Sequence, residues 1–168
     1  MKKILSEKLP RILKAKKILE KELNIKITNR GKEVYIKGEP EEEYIAEKVI
    51  NAINFGFSIQ TAILIERENL DFETINIKDY VKSHNFKRAR GRIIGTKGKT
   101  LKTLSSLTNC YFEIKDNKVG IIGNLENIEN AQKAIIFLSK GAQHSNVYSY
   151  LEKNQIKPIL DLGLKEEK

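Results

Sequence analysis

The pattern of apolar and polar positions in the second half of the chain predicts a helix, two strands and another helix. Leucines recur every three residues over 101–107, which is typical of a helix with one buried face. Two short β-favouring runs follow, at Tyr111–Lys115 and Lys118–Gly123, and they predict a hairpin that turns at Asp116-Asn117. Asn124 is then placed to cap a second amphipathic helix.

The first half of the chain carries the same order of patterns. Pro10 suits the first turn of a helix, and a second helix is predicted from about Pro40 to Phe55. Between them, strands are predicted near Ile25–Thr28 and Glu33–Lys37. The remaining predicted elements are a strand over Phe72–Val81, a helix Ile59–Arg67 capped by Ser58, and a helix Asn146–Lys153 capped by Ser145.

An internal repeat with a period of 85 residues underlies this double order. Residues 9–56 align with 94–141 without gaps, and 12 of the 48 positions are identical. Because this period is too long for a solenoid unit, we expect two copies of one small α+β domain, with the first strand nearly missing at the start of the chain. The predicted divisions are a degenerate domain over 1–68, a second domain over 69–157 and a frayed tail over 158–168.

The positive charge of the chain is concentrated in one segment. The formal net charge is +9, from 31 Lys and Arg against 22 Asp and Glu. Residues 80–112 contain eight Lys and Arg and no acidic residue, so this segment supplies nearly the whole excess. A focused patch of one sign attracts a polyanion, whereas a scattered excess indicates only a soluble basic protein. The segment therefore predicts nucleic-acid binding.

At the centre of this segment lies a GxxG turn at residues 95–98, between two predicted helices. Its glycines let the main chain approach a sugar–phosphate strand, and the next helix presents its N–H groups and positive dipole end to the phosphates. KH domains clamp about four nucleotides of single-stranded RNA with such a loop. Opposite the loop, the strand Tyr111–Ile114, with Ile94 and Leu101, is predicted to form an apolar floor for unstacked bases. The candidate RNA-binding residues are Gly95, Thr96, Lys97, Gly98, Arg88, Arg90, Arg92, Ile94, Lys99, Lys102, Tyr111 and Phe112.

The glycine loop allows two other interpretations. A purely structural turn on a solvated basic face remains the alternative to RNA binding. A nucleotide-binding P-loop is disfavoured, because Ile93 occupies the position of its leading glycine and no strand is predicted directly before the loop. In the first copy, Pro10-Arg11-Ile12-Leu13 replaces the loop, so we expect that copy to be a scaffold or a protein-docking surface without the clamp.

The remaining composition argues against several classes of protein. No apolar run approaches the length of a membrane span, and the basic N-terminus lacks the pattern of a secretory signal. The one cysteine, Cys110, is predicted to be buried, in a protein of the reducing cytoplasm. His84 and His144 have no partners at metal-ligand spacing. We therefore expect no enzyme activity, no metal and no cofactor.

Four motifs in the chain resemble those of the Dim-two family, also called partner-of-Nob-one, of small-subunit ribosome-assembly factors. They are R-x-R-G-R-I-I-G at Arg88–Gly95, G-K-T at Gly98–Thr100, G-I-I-G at Gly120–Gly123 and G-A-Q-H-S-N-V-Y at Gly141–Tyr148. The resemblance extends over about residues 25–152, and the length is similar to that of the archaeal members.

The resemblance implies two tandem type I KH domains, each with a three-stranded antiparallel sheet packed against three helices, and an extra short helix after each. It implies a non-catalytic role at the 3′ end of precursor small-subunit rRNA, with the clamp at residues 95–98. The implied protein partners are the Nob-one endonuclease, the rRNA dimethyladenosine transferase and the alpha subunit of translation initiation factor two. A protein-interaction adaptor and a generic KH factor of RNA turnover remain alternative functions.

Overall fold

A computed structural model of the protein describes residues 1–155; the tail predicted over 158–168 lies outside the described residues. The strands are β1 (Lys2–Leu5), β2 (Lys26–Arg30), β3 (Glu33–Lys37), β4 (Asp71–Asn76), β5 (Tyr111–Lys115) and β6 (Lys118–Gly123). The α-helices are α1 (Leu9–Lys14), α2 (Lys16–Leu23), α3 (Pro40–Phe55), α4 (Ile59–Arg67), α5 (Phe86–Ile94), α6 (Lys99–Thr108), α7 (Leu125–Ser139) and α8 (His144–Lys153).

The strands form two antiparallel sheets of three strands each, one in each half of the chain. The order is β1-β3-β2 in the first half and β4-β6-β5 in the second, so the last strand of each half is central. Helices pack against each sheet, which confirms the predicted α+β class. The equal strand order in both halves agrees with the 85-residue repeat.

The elements with the clearest local signals have the predicted bounds. Both strands of the β5–β6 hairpin end where predicted, and Asp116 at the turn adopts a left-handed conformation with φ of 54°. Helix α3 covers the predicted residues, with Pro40 in its first turn and Gly56 directly after its end. Ser58 caps α4 as predicted, because its Oγ accepts a hydrogen bond from the Thr61 backbone N–H at 3.1 Å.

Two predicted elements were wrong in their extent. The strand predicted over Phe72–Val81 ends at Asn76, whose side chain accepts a hydrogen bond from the Lys78 N–H at 3.0 Å and turns the chain into a short 3₁₀ helix. Ser145 does not cap α8, which already begins at His144 with Gln143 as its N-cap. The alternation of apolar residues and the preference of serine for caps were misleading at these two places.

The first half departs from the prediction at its start. Strand β1 is present and pairs with β3 along its four residues, so the first strand is not missing. Instead, the first half has no counterpart of α5, and α1 occupies the positions that align with the glycine loop. Ile12 on this helix is completely buried in the first core.

The two halves pack against each other through the sheet of the second half. Val119 and Ile121 of β6 contact their own core, whereas Ile122 belongs to the core of the first half. Next to it, the rings of Phe55, Phe57 and Phe72 form a cluster with centroids 5.8–6.2 Å apart. The central strand is therefore buried on both faces.

A glycine makes this close packing possible. A side chain at Gly120 would place its Cβ 2.8 Å from the Phe55 ring and 2.9 Å from the Phe57 ring. Two ion pairs join the halves at the edge of this contact: Lys48 with Asp71 at 2.8 Å, and Lys115 with Glu7 at 2.8 Å. The first half thus fixes the back of the sheet that carries β5.

Candidate nucleic-acid interface

The loop at 95–98 joins the end of α5 to the start of α6. Three of its four residues have positive φ: Gly95 (72°), Lys97 (54°) and Gly98 (75°). Gly98 is the residue that precedes α6 and has no side chain to cap it, so the first N–H groups of α6 are not capped from that position. These N–H groups and the positive end of the helix dipole favour an anion.

The two glycines of the loop have different physical roles. A Cβ at Gly95 would overlap the side chain of Thr100 and approach its backbone nitrogen to 2.7 Å. Gly95 is therefore required by the packing of the loop on its own helix. A Cβ at Gly98 would meet nothing within 4 Å, so Gly98 is the glycine that keeps the surface open for a ligand. From the sequence alone, we expect both glycines to have this second role.

A groove of about 590 Å³ opens beside Gly98. We call it the RNA groove, after the ligand that the sequence predicts. Its walls come from the loop, one face of α6, the edge strand β5 and the first half of the chain. The lining residues are Arg11, Gly56, Phe57, Ser58, Thr61, Gly98, Leu101, Lys102, Ser105, Tyr111, Phe112 and Glu113. Four predicted site residues lie here, namely Gly98, Lys102, Tyr111 and Phe112, together with Leu101 of the predicted floor.

The first half supplies a wall of the groove that sequence reasoning missed. Arg11 of α1 donates a hydrogen bond to the carbonyl oxygen of Phe57 at 3.3 Å, which holds its guanidinium at the groove. Ser58 and Thr61 at the start of α4 contribute hydroxyl groups to the same wall. The repeat predicts two similar domains, but it holds no signal for how one packs on the other.

Glu113 places a carboxylate on the floor of this otherwise basic groove. Burial raises the pKa of the Glu113 carboxyl above its ordinary value, and the nearby Lys8 and Arg11 lower it in part. A carboxylate disfavours phosphate on the floor and accepts hydrogen bonds from the amino groups of bases. The groove thus has main-chain donors on the loop side, one cation on each wall (Lys102 of α6 and Arg11 of the first half) and a carboxylate acceptor on its floor.

The arginines of α5 do not lie together on the groove. Arg88 and Arg92 are four residues apart, share one face of the helix and line cavities on the side away from the groove. Arg90 lies on another face of α5 and donates a hydrogen bond to the side-chain oxygen of Asn117, in the β5–β6 turn, at 2.7 Å. The predicted set of three arginines beside the clamp is therefore divided between two surfaces.

The other candidates also divide between the two sides. Gly95, Thr96 and Lys99 line a cavity of about 420 Å³ behind the loop. Lys97 is exposed at the tip of the loop, and Ile94 is 37 % exposed at the end of α5; neither lines the RNA groove. None of the eight cations at residues 80–112 forms an ion pair with a carboxylate within residues 1–155.

Cys110 and His144 are placed for structural roles. Cys110 is buried as predicted, and burial raises the pKa of its thiol to about 11, so it is not a reactive thiolate. His144 Nε2 lies 2.9 Å from the carbonyl oxygen of Arg92 and thereby links α8 to α5.

In the described part of the chain, no three His, Cys, Asp or Glu side chains are grouped to hold a metal ion. Nor does any helix there have the length and apolar character required to cross a bilayer.

The fold and the glycine loop together indicate the class of domain to which the second half of the chain belongs. A helix, a GxxG loop and a second helix, followed by a β-hairpin whose first strand is an edge, form the RNA-binding framework of KH domains. A family model described as a eukaryotic-type (type I) KH domain, the second of PNO1, matches residues 71–156. The second half of the protein is therefore a type I KH domain.

Individual relatives agree with this class. A KH domain-containing protein of Methanocaldococcus jannaschii is 33 % identical over 149 residues, covering 84 % of this chain and 66 % of the relative. The crystal structure of Dim2p from Pyrococcus horikoshii matches with a TM-score of 0.83 and 31 % identity, over 90 % of this chain and 98 % of that one. The structure of an a/eIF2alpha–aDim2p–rRNA complex from the same organism matches with a TM-score of 0.81 and 32 % identity, over 92 % and 93 %.

The chain belongs to the Dim2/PNO1 family, whose curated members include proteins named RNA-binding protein pno1 and pre-rRNA-processing protein PNO1. It spans 57–66 % of the length of the first three curated relatives that it matches.

Proposed function

We propose that this protein binds single-stranded RNA of the precursor small-subunit rRNA, near its 3′ end, and takes part in its maturation without catalysing a reaction. The observation that carries the proposal is the RNA groove beside the uncapped start of α6, with Gly98 open to solvent. The names of the relatives support the choice of rRNA, and the Pyrococcus horikoshii complex contains rRNA together with a homologous protein.

In this proposal the loop and the floor of the groove have separate tasks. The sugar–phosphate strand lies along Gly98 and is held by the N–H groups of α6 and by Lys97 and Lys102. Unstacked bases rest on Leu101 and against Tyr111, whose ring is 42 % exposed. Glu113 accepts a hydrogen bond from a base amino group, which makes the contact selective.

We further propose that the first half is a degenerate KH domain. Its strand order and its place in the repeat support this assignment, although α1 replaces the loop. Its contribution to RNA binding is to close the groove with Arg11 and α4. The archaeal complex contains a/eIF2alpha, which favours the alpha subunit of this factor as a partner and a second role as an adaptor. The Nob-one endonuclease and the rRNA dimethyladenosine transferase remain partners suggested by the family.

A double substitution at the loop tip tests the RNA site. Thr96→Asp with Lys97→Asp puts negative charge beside the phosphates, and both side chains are exposed. We expect RNA affinity to fall at least a hundredfold, while the melting temperature stays within about 3 °C, because surface substitutions cost about 0.5 kcal/mol or less. Fluorescence anisotropy with a labelled single-stranded dodecanucleotide and thermal denaturation measure the two effects.

A matched control changes the net charge equally at another exposed place. Ser149→Asp with Lys153→Asp alters the outer face of α8 and is expected to retain RNA affinity. For the wild type, the neutralisation of four phosphates predicts a log–log salt slope of about −3, from ~0.7 per phosphate of a single strand. Undiminished binding in the loop variant, or equal losses in both variants, would remove the proposed site.

A further inference from the structure

We propose that a cleft on the back of α5 is a second binding site for the phosphate backbone of RNA, separate from the RNA groove. The inference depends on the proposed function only for the identity of the ligand. The cleft consists of two adjoining cavities of about 670 and 420 Å³, which share the side chains of Arg88 and Arg92. We call this surface the back cleft. One end of it reaches the glycine loop at Gly95 and Thr96.

The helical period places the back cleft and the RNA groove on different faces of α6. Residues 98, 101, 102 and 105 line the groove and share one face at spacings of three and four residues. Lys99 and Thr100 line the back cleft and lie about 110° and 150° round α6 from the centre of the face formed by residues 101, 102 and 105. A strand of about four nucleotides in the groove therefore leaves the cations of the back cleft without phosphates.

Among residues 1–155, the back cleft is lined by cations and by no carboxylate. Its positive side chains come from the segment before α5, from α5 itself, from the start of α6 and from the end of α7. They are Lys82, Arg88, Arg92, Lys99 and Lys140, with His84 beside them. None of the five Lys and Arg side chains has an ion-pair partner among residues 1–155. Unneutralised like charges around one concavity repel each other, so an anion stabilises them.

Local contacts hold two of these cations, Arg92 and Lys140, at the cleft. A Cβ at Gly141 would collide with the guanidinium of Arg92, so the glycine makes room for that arginine. The carbonyl of Arg92 is in turn in contact with His144 at 2.9 Å. The ammonium of Lys140 lies 5.9 Å from the centre of the Tyr80 ring, at the distance of a cation–π contact. Less side-chain freedom is then lost when an anion binds.

RNA fits this surface better than an acidic protein does. Protein interfaces obtain most of their affinity from large apolar or aromatic anchors that fill pockets. In the described part of the chain, the back cleft offers only the small apolar side chains of Val81 and Ala89, besides the partly exposed ring of Tyr80. A polynucleotide gains affinity by releasing counterions and needs no such anchor. The cleft also begins at the loop, where an RNA held in the groove would leave it.

Paired charge-neutralising variants test the back cleft. Arg88→Gln with Lys140→Gln removes two exposed cations from it, and Arg30→Gln with Lys32→Gln removes the same two residue types from the exposed β2–β3 turn. The probes are a random-sequence tetranucleotide, which fills only the groove, and a random-sequence single-stranded dodecanucleotide. Anisotropy measures the dodecamer at several salt concentrations, and NMR titration measures the tetramer.

We expect the back-cleft variant to bind the dodecamer about tenfold more weakly, with a salt slope shallower by about 1.4, from ~0.7 for each cation lost. Its affinity for the tetramer and its melting temperature should match the wild type, and the turn variant should lose neither affinity nor slope. Equal affinities of the two variants for the dodecamer would overturn the proposal. A loss of tetramer binding in the back-cleft variant would also overturn it, because Arg88 would then belong to the RNA groove.

Three further comparisons separate the sources of the phosphate and the two proposals. In the first comparison, a duplex RNA is added to protein that is already saturated with the tetramer. If the duplex binds the wild type but not the back-cleft variant, the ligand of the cleft is a second RNA segment. If only the covalent dodecamer shows the effect, the ligand is the continuing strand. If polyglutamate occupies the back cleft and neither RNA competes with it there, the ligand is an acidic protein and the proposed RNA site is overturned. If the wild type binds neither oligomer, the proposed function itself fails, whereas tetramer binding with equal variants refutes only the back cleft.

Discussion

Alanine substitutions at the two loop glycines should affect different properties: Gly95→Ala mainly the stability of the fold, and Gly98→Ala mainly RNA binding. Gly95 has φ of 72° and ψ of 176°, a region that essentially only glycine occupies, and a side chain there costs about 1–3 kcal/mol. The collision of the new Cβ with Thr100 adds about 1–3 kcal/mol as overpacking. We therefore expect Gly95→Ala to lower the free energy of unfolding by about 4 kcal/mol. This corresponds to about 8–16 °C in melting temperature for a chain of this size.

Gly98→Ala should weaken RNA binding and lower the stability only slightly. Its φ of 75° and ψ of 13° are left-handed helical values, which cost alanine about 1 kcal/mol, or about 3 °C. The methyl group enters open space at the groove and moves the RNA backbone away from the N–H groups of α6. The loss of one charge-assisted hydrogen bond, about 1.5–3 kcal/mol, lowers RNA affinity by about ten- to hundredfold.

The chain provides a matched control for this comparison. Gly31 in the β2–β3 turn also has positive φ, of 56°, and a Cβ there would meet nothing within 4 Å. Gly31→Ala should therefore reproduce the small stability loss of Gly98→Ala and retain RNA affinity. Thermal denaturation and anisotropy on the three variants decide the matter. If Gly98→Ala retains affinity, or loses as much stability as Gly95→Ala, the division of roles between the two glycines is wrong.

Two further substitutions test the floor and the wall of the RNA groove. Glu113→Gln should reduce any preference for oligocytidine over oligouridine by about tenfold, because the carboxylate accepts from the cytosine amino group. In the wild type that preference should fade as the pH falls through the pKa of Glu113, which burial raises, and a preference that is independent of pH would contradict this role. Phe72→Ala removes two ring contacts between the halves and should cost about 3 kcal/mol. It should also weaken RNA binding, because Phe57 and Arg11 lose their support, and unchanged affinity would show that the first half is not a wall of the groove.

The sequence was sufficient where a local signal determines the structure. The β5–β6 hairpin and helix α3 have the predicted bounds, because the turn at Asp116, Pro40 and Gly56 all act within a few residues of the chain. At Ile77 the alternation of apolar residues continued past the end of β4. A hydrogen bond from the Ile77 N–H to the carbonyl oxygen of Asn117, at 2.8 Å, belongs to tertiary structure and could not be predicted.

The candidate site was predicted as a set of residues but not as an arrangement. The helical period already places Arg88 and Arg92 on one face of α5, and Arg90 on another. Which face borders the groove depends on how α5 packs on its sheet, and on the contact between Arg90 and Asn117. Arg11 and Ser58 reach the groove only because the Phe55–Phe57 end of the first half lies on Gly120, a contact between residues about 65 positions apart.

The number and placement of the cations favour more than one RNA contact surface. Four nucleotides in the groove carry about four charges, and the start of α6, Lys97, Lys102 and Arg11 are sufficient to neutralise them. Residues 80–112 nevertheless contain eight Lys and Arg, and four of these, Lys82, Arg88, Arg92 and Lys99, line the back cleft, joined there by Lys140. Mutual repulsion makes such a concentration unfavourable for the free protein. An RNA long enough to contact both sides of the GxxG loop accounts for this charge, whereas a tetranucleotide accounts for only half of it.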